Sequence, residues 1–284
     1  MAGPVNRSGG KRLQSHGPAD KDRNKVNQDD SKNAIQVTPY VMHRMRVSRS
    51  QTYLSLKDYR LMVVPYRLAK NRVTLLGALS SEEIHFFAGF KDQHVTLTLT
   101  CATSYATEQS AMLIRGDLTR VGELTNRKNV GVFELTVRSE ASAYEEMFLN
   151  YERDGDRLKE LFPGLKGRFM KLAAPGFREL LGLKPTVEVH GAGLEPCRLT
   201  LYAIAADRLI FEPPADKRPT VAGTLHAKLS YRHYDFAVRG IVDGIDPESR
   251  RFEVSIEYTR ELVDVIATFL EAMRRHQRYR RPQK

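Results

Sequence analysis

The sequence predicts a mainly-β protein of two tandem antiparallel six-stranded-type β-barrels, each with a C-terminal α-helix, joined by a helical linker. Three observations predict it. From Tyr40 onward, short β-branched or alternating runs such as "RVTLLGAL", "VTLTLTC" and "VGVFELTV" are separated by turn-forming residues, and "CRLTLYAIA", "TLHAKLSY" and "RFEVSIEYT" resume that texture later in the chain. Each series ends on an amphipathic segment, "ASAYEEMFLNYERDG" and then "ELVDVIATFLEAM". Landmarks also recur in order. "ALSSEEIHF" from Ala78 matches "AIAADRLIF" from Ala203 at an offset of 125, Gly116 of "IRGDL" matches Gly240 of "VRGIV" at 124, and Phe133 of "FELT" matches Ile256 of "IEYT" at 123. A nearly constant offset indicates an internal duplication.

Taken in order, residues 1–38 are assigned to a disordered tail, because roughly the first 34 are Gly, Asn, Asp, Lys, Arg and Ser with too little apolar surface to offset the entropy of ordering. Residues 39–151 form the first barrel domain, with "LMVVPYRL", "RVTLLGAL", "IHFFAGF", "VTLTLTC", "SAMLIRGDL" and "VGVFELTV" read as strands. Its closing helix carries Tyr144, Met147, Phe148 and Tyr151 at helical spacing and stops at Asp154-Gly155. Residues 152–187 form a helical linker interrupted at Pro163-Gly164 and Pro175-Gly176. Residues 188–273 form the second barrel domain, whose helix shows Leu262, Ile266, Phe269 and Met273 on one face. Residues 274–284 are a basic tail.

The chain has 284 residues and a formal net charge of +11, which favours contact with anions: nucleotides, nucleic acid, acidic lipid or an acidic protein face. Cys101 and Cys197 stand in no metal or redox spacing and are expected to be reduced thiols. The N-terminus lacks the apolar core of a signal peptide, and no run reaches the roughly 20 apolar residues of a membrane span, so a cytoplasmic protein without a membrane span is expected. Phosphate-loop, GxSxG, HExxH and CxxC motifs are absent. His226 and His233 lack a third ligand type nearby, and Glu82 and Glu83 are adjacent and so point apart. Neither a metal, nor a cofactor, nor an enzymatic activity is expected.

A segment of the form x-Φ-S-x-x-x-Φ-x-F, then strands, then "RG" with an apolar residue, then "FELT" or "IEYT" and an amphipathic helix, resembles the barrel of the PilZ family over about 55–150 and again over about 190–273. That resemblance implies a bacterial cyclic di-GMP receptor or adaptor. Family members grip the ligand with an RxxxR motif before the barrel and a [D/N]xSxxG motif on a barrel strand, arginine forks holding phosphate and guanine edge. This chain departs from both. In the first half the second motif reads Ala78, Ser80 and Glu83; in the second it reads Ala203, Ala205 and Arg208. Upstream stand Arg44, Arg46 and Arg49, then Lys166, Arg168 and Lys171, with no RxxxR. The spacing does occur after both barrels, at Arg274 and Arg278 within "RRHQRYRR".

The candidate ligand-binding residues are therefore Arg274, Arg275, Arg278, Arg281 and Ser80. Continued as helix, Arg274, Arg278 and Arg281 share a face, and a basic last turn also complements the helix dipole. What the resemblance implies is a non-enzymatic signalling adaptor in cyclic di-GMP-linked motility or envelope regulation, working mainly through a protein partner, with cyclic di-GMP as a regulatory ligand counted against by the missing motif residues. The alternative is a nucleic-acid-binding β-barrel protein whose basic tails hold phosphate while Phe86, Phe87 and Tyr105 stack bases.

Overall fold

The computed structural model describes residues 34–102, 109–138, 142–172, 182–212 and 223–280. Within them the chain forms β1 (Ile35–Gln36), α1 (Pro39–Met45), β2 (Val47–Leu56), β3 (Tyr59–Met62), β4 (Val64–Ala69), β5 (Arg72–Ala78), α2 (Ser81–Ala88), β6 (His94–Ala102), β7 (Gln109–Glu123), β8 (Val130–Val137) and α3 (Ser142–Leu165). There follow β9 (Met170–Lys171), β10 (Thr186–Gly191), β11 (Leu194–Ile204), β12 (Arg208–Glu212), β13 (Gly223–Tyr231), β14 (Tyr234–Ile245), β15 (Phe252–Ile256) and α4 (Arg260–Arg280). The architecture is mainly β, as expected: one closed six-stranded barrel, a second sheet, and helices at their margins.

The closed barrel is the later one. Its antiparallel ladder runs β10-β13-β14-β15-β12-β11 and returns, because β10 also pairs with β11; β9 adds to β11 beyond the end of β10. The earlier sheet runs β1-β4-β5-β8-β7-β6-β2-β3. Its two margins are one piece of chain, since Val63 alone separates β3 from β4 and donates its N–H to the Thr52 carbonyl at 3.0 Å. With β3 and β4 counted as one bent strand, the cyclic order of pairing equals that of the barrel. Strand alternation explains the interior: Leu54, Leu97, Leu99, Ile114 and Phe133 fill the first unit and Val187, Leu201, Phe211, Leu229 and Phe252 the second, all buried.

The duplicated register is visible residue by residue. Gly116 faces Val137 across β7–β8 and Gly240 faces Ile256 across β14–β15. In each hairpin the ladder slips just after the second residue beyond the glycine, between Leu118 and Arg120 and between Val242 and Gly244. A Cβ on either glycine would sit 2.6 Å from the Thr136 carbonyl oxygen or 2.5 Å from that of Ser255. The Gly116–Gly240 match therefore holds. The Phe133–Ile256 match does not: Phe133 pairs with Val121 as Phe252 pairs with Ile245, so Phe252 is its counterpart. Gly116 and Phe133 lie 17 residues apart but Gly240 and Phe252 only 12, and an offset held constant cannot accommodate a shorter hairpin. The Ala78–Ala203 match fails too. Ala78 ends β5, whose counterpart is β12, whereas Ala203 lies on β11.

Three further expectations are corrected. "IHFFAGF" is not a strand but the body of α2 and the turn after it, started by a capping box at Ser80 and Glu83. The closing helix does not stop at Asp154-Gly155; α3 runs on to Leu165 with Pro163 in its last turns, so the first part of the linker is the same helix. Ile35 and Gln36 pair with Leu68 and Arg67, which moves the start of the fold upstream of 39. Of the expected stripe, Tyr144, Phe148 and Tyr151 are buried and Met147 is half-buried, with the Tyr144 hydroxyl donating to the Ala69 carbonyl at 2.6 Å. The Pro175-Gly176 break and residues 1–33 lie outside the described residues.

Candidate functional site

In the second barrel the positions matching the ligand motif form the tight turn from β11 into β12. The Ala205 N–H donates to the Arg208 carbonyl at 2.8 Å, closing it. Ala203, Ile204, Ala205 and Ala206 are all buried at 1% exposure or less. The linker runs beside them: β9 pairs Lys171 with Ala203 and Met170 with Ile204, and the Gly167 N–H donates to Asp207 Oδ1 at 2.8 Å. The fold thus brings Lys166, Arg168 and Lys171 to this turn, which the sequence could suggest only by proximity. Arg168 and Lys171 are exposed, and Lys166 Nζ sits 4.8 Å from the Phe162 ring centre. Arg208 replaces the motif glycine, and its guanidinium is held by Glu253 at 2.5 Å, with Asp207 at 3.8 Å; the Glu253 hydrogen bond pushes its pKa upward. The turn presents no hydroxyl, and its one carboxylate is engaged by the linker backbone.

The first unit uses its matching residues for local structure. Ser80 is the N-cap of α2: its Oγ accepts from the Glu83 N–H at 3.2 Å, while Glu83 Oε2 accepts from the Ser80 N–H at 2.8 Å and from its hydroxyl at 3.0 Å. These contacts hold the Glu83 carboxyl below its ordinary value, the backbone bond first. At the other end of the chain, Arg274 and Arg275 are exposed on α4, and Arg275 pairs with Glu271 one turn earlier at 2.5 Å. Arg278 continues the helical backbone and Arg281 lies outside the described residues. No described contact joins Ser80 to these arginines. Of the proposed base-stacking aromatics, Phe87 is buried, Phe86 is exposed on α2 rather than on a strand, and Tyr105 lies outside the described residues.

Between the two units sits a polar cluster that sequence reasoning assigned differently. Helix α1 begins at Pro39 after a Thr38 N-cap and ends at Arg46, which takes a left-handed φ of 57°. It sets Arg44 between Asp154 of α3 at 2.5 Å and Asp264 of α4 at 3.5 Å. Burial alone would lower the Arg44 pKa, but Asp264, Tyr40 and Asp154 together raise it. Tyr40 meets Tyr234 of the barrel edge-on at 5.7 Å, and burial followed by the Asp264 charge pushes its hydroxyl far above the ordinary range. Beside them Arg260 lies 3.6 Å from the Tyr151 ring centre and donates to the Tyr151 carbonyl. Arg44, grouped by sequence with upstream ligand arginines, is thus a clasp between the units. The signal for its partner was legible: Asp264 interrupts an otherwise apolar stretch, and a buried acid demands a cation.

No protein-family model and no curated protein matches the chain. Among solved structures it is similar to the PlzA protein of Borreliella burgdorferi in complex with c-di-GMP, at 11% identity, covering 87% of this chain and 98% of that one, with a TM-score of 0.39. It is similar also to YcgR from Escherichia coli in complex with c-di-GMP, at 11% identity, 88% and 98% coverage and a TM-score of 0.27. A third is the Bacillus subtilis inhibitor of motility MotI/DgrA, at 12% identity, 83% and 100% coverage and a TM-score of 0.26.

Proposed function

We propose that the chain is a non-enzymatic bacterial signalling adaptor with tandem PilZ-like barrels, acting in the cytoplasm in cyclic di-GMP-linked motility or envelope regulation mainly through protein contacts. The units are assigned to 35–165 and 186–273, with β9 in the connector between them and the basic tail from 274. One observation carries the reading. At the turn where a barrel of this kind would offer acceptor, hydroxyl and glycine to a nucleotide, this chain places Ala203, Ala205 and an ion-paired Arg208, and its own linker strand pairs alongside Ala203. A surface patch suited to a protein partner supports it: Tyr59 and Phe86 are exposed, and Tyr59 meets Phe86, Phe87 and Phe90 edge-on at 5.4 to 5.8 Å. Arg274, Arg275, Arg278 and Arg281 are the proposed contacts to an acidic or phosphate-bearing partner, and the capping role of Ser80 sets it apart from them.

Isothermal titration with cyclic di-GMP tests this. The expected result is no binding tighter than about tens of micromolar, since each ~1.4 kcal/mol of lost contact weakens binding tenfold. Sub-micromolar binding abolished in Arg274→Ala/Arg278→Ala would make the tail a ligand clamp and the chain a receptor rather than a contact adaptor.

A further inference from the structure

The outer face of the first unit carries a groove whose described lining residues include neither Ser80 nor the arginines of the basic tail. Ser55 of β2 faces Thr96 of β6, Thr96 faces Arg115 of β7, and the Arg138 N–H donates to the Arg115 carbonyl at 3.0 Å. Four polar side chains thus stand abreast across neighbouring strands, about 4.8 Å apart per step. Lys57 and His94 complete the rim, and the floor runs past Gly116. The cavity holds about 250 Å³, and no carboxylate is among its described lining residues.

The charge is arranged rather than merely present. Asp117, one step along from the groove, holds the Arg138 fork at 2.9 and 3.3 Å and lies 2.6 Å from His94 Nδ1, which fixes where Arg138 stands. Arg115 is exposed and has no ion pair among the described residues. Lys57 Nζ lies 5.3 Å from the Phe90 ring centre. The unpaired Arg115 fork, the Arg138 N–H groups that Asp117 leaves over, an ammonium and two hydroxyl donors, around an opening with no carboxylate among its described lining residues, suit a tetrahedral oxyanion. The second unit supplies an internal control. Through the shared register the places of Ser55, Thr96, Arg115 and Arg138 fall to His190, His226, Arg239 and Glu257. There the two imidazoles stack at 4.9 Å and 7°, and a carboxylate replaces the second arginine. The first face gathers basic side chains without the stacked rings and the carboxylate that the second one carries.

We propose that this groove binds the phosphate group of a soluble phosphorylated small molecule. At about 250 Å³ it falls below the ~300–1,000 Å³ of pockets that enclose a whole ligand, so it takes the charged head and leaves the remainder in solvent. The test is calorimetry on the full chain with inorganic pyrophosphate, together with amide chemical-shift mapping. Saturable one-to-one binding is expected, with shifts centred on Val95 and Gly116. It should weaken about tenfold, ~1.4 kcal/mol, in Arg115→Ala and in Arg138→Ala. Arg239→Ala should leave it unchanged. All three side chains are exposed, so an unaltered thermal midpoint verifies folding in each variant. Absence of saturable binding at millimolar pyrophosphate overturns the proposal. So does equal weakening in Arg115→Ala and Arg239→Ala. A random oligonucleotide that binds more tightly than pyrophosphate, with no dependence on Arg115, would likewise overturn it and assign the effect to the diffuse positive field.

Discussion

Arg44 shows how much one side chain's surroundings decide. In sequence it belongs to a basic run; in the fold it neutralises Asp264, which is only 6% exposed, and shares Asp154 at the surface. Removing one partner of a buried pair leaves the other charge stranded, at a cost near 3 kcal/mol. Arg44→Ala should therefore lower unfolding stability in urea by about that amount, whereas Asp154→Ala, at the exposed end of the same clasp, should cost roughly 1 kcal/mol or less. Ser80 makes the opposite point, since a residue matching a ligand motif serves as a helix cap. Ser80→Ala should destabilise the protein by about 0.5–2 kcal/mol, the usual loss at an N-cap. A second readout follows from the sign of the Glu83 shift. Its folded pKa lies below the unfolded value, so the stabilisation is present above the unfolded pKa and is lost as pH falls through the folded one. In an NMR titration, Ser80→Ala should move the Glu83 midpoint upward; an unmoved midpoint would dissociate Glu83 from the cap.

At the scale of elements, the two glycine-bearing hairpins are the clearest imprint of duplication. Both approach a neighbouring carbonyl too closely to admit a Cβ, and the obstacle is backbone, which cannot swing aside. Gly116→Ala and Gly240→Ala should each cost about 1–3 kcal/mol, the range for overpacking. Gly122→Ala, on the same strand β7 with nothing nearer than the Arg120 Nε at 4.0 Å, should stay within about 0.5 kcal/mol. Equal effects at all three positions would contradict the register given for the repeats. Helix α3 shows why a local stop signal failed. Gly155 costs a helix about 1 kcal/mol relative to Ala, yet here the missing Cβ makes room for the Arg260 guanidinium, which would lie 2.7 Å from it. The helix continues because tertiary packing outweighs propensity.

For the whole molecule, α1 bridges the first sheet and the barrel, and α3 lies against α4, so the units share buried side chains rather than hanging on a free linker. Arg274 and Arg275, where the basic tail begins, are exposed. Deleting residues 274–284 should cost about 1 kcal/mol or less, as for an exposed terminal turn, and thermal unfolding is the measurement. If the tail instead grips duplex DNA through all six basic groups, affinity should fall with salt at a log–log slope near −5, and the deletion should flatten that slope. The first outcome is expected, and a tail-dependent nanomolar DNA complex at physiological salt would place nucleic acid ahead of a protein partner.

The sequence by itself determined the mainly-β class, the apolar stripes of both closing helices and the Gly116–Gly240 match, because alternation, helical period and steric demand for glycine are local properties that survive in one dimension. It did not determine α2, since "IHFFAGF" satisfies strand and helix alike until Ser80 and Glu83 close the capping box. Nor could it settle register where the β14–β15 hairpin is shorter than its counterpart. The clasp of Arg44, Asp154 and Asp264, the pairing of β9 with Ala203 and the row of Ser55, Thr96, Arg115 and Arg138 belong to tertiary structure alone. Each joins residues distant in sequence, and only the order and stagger of paired strands and packed helices decide which side chains become neighbours.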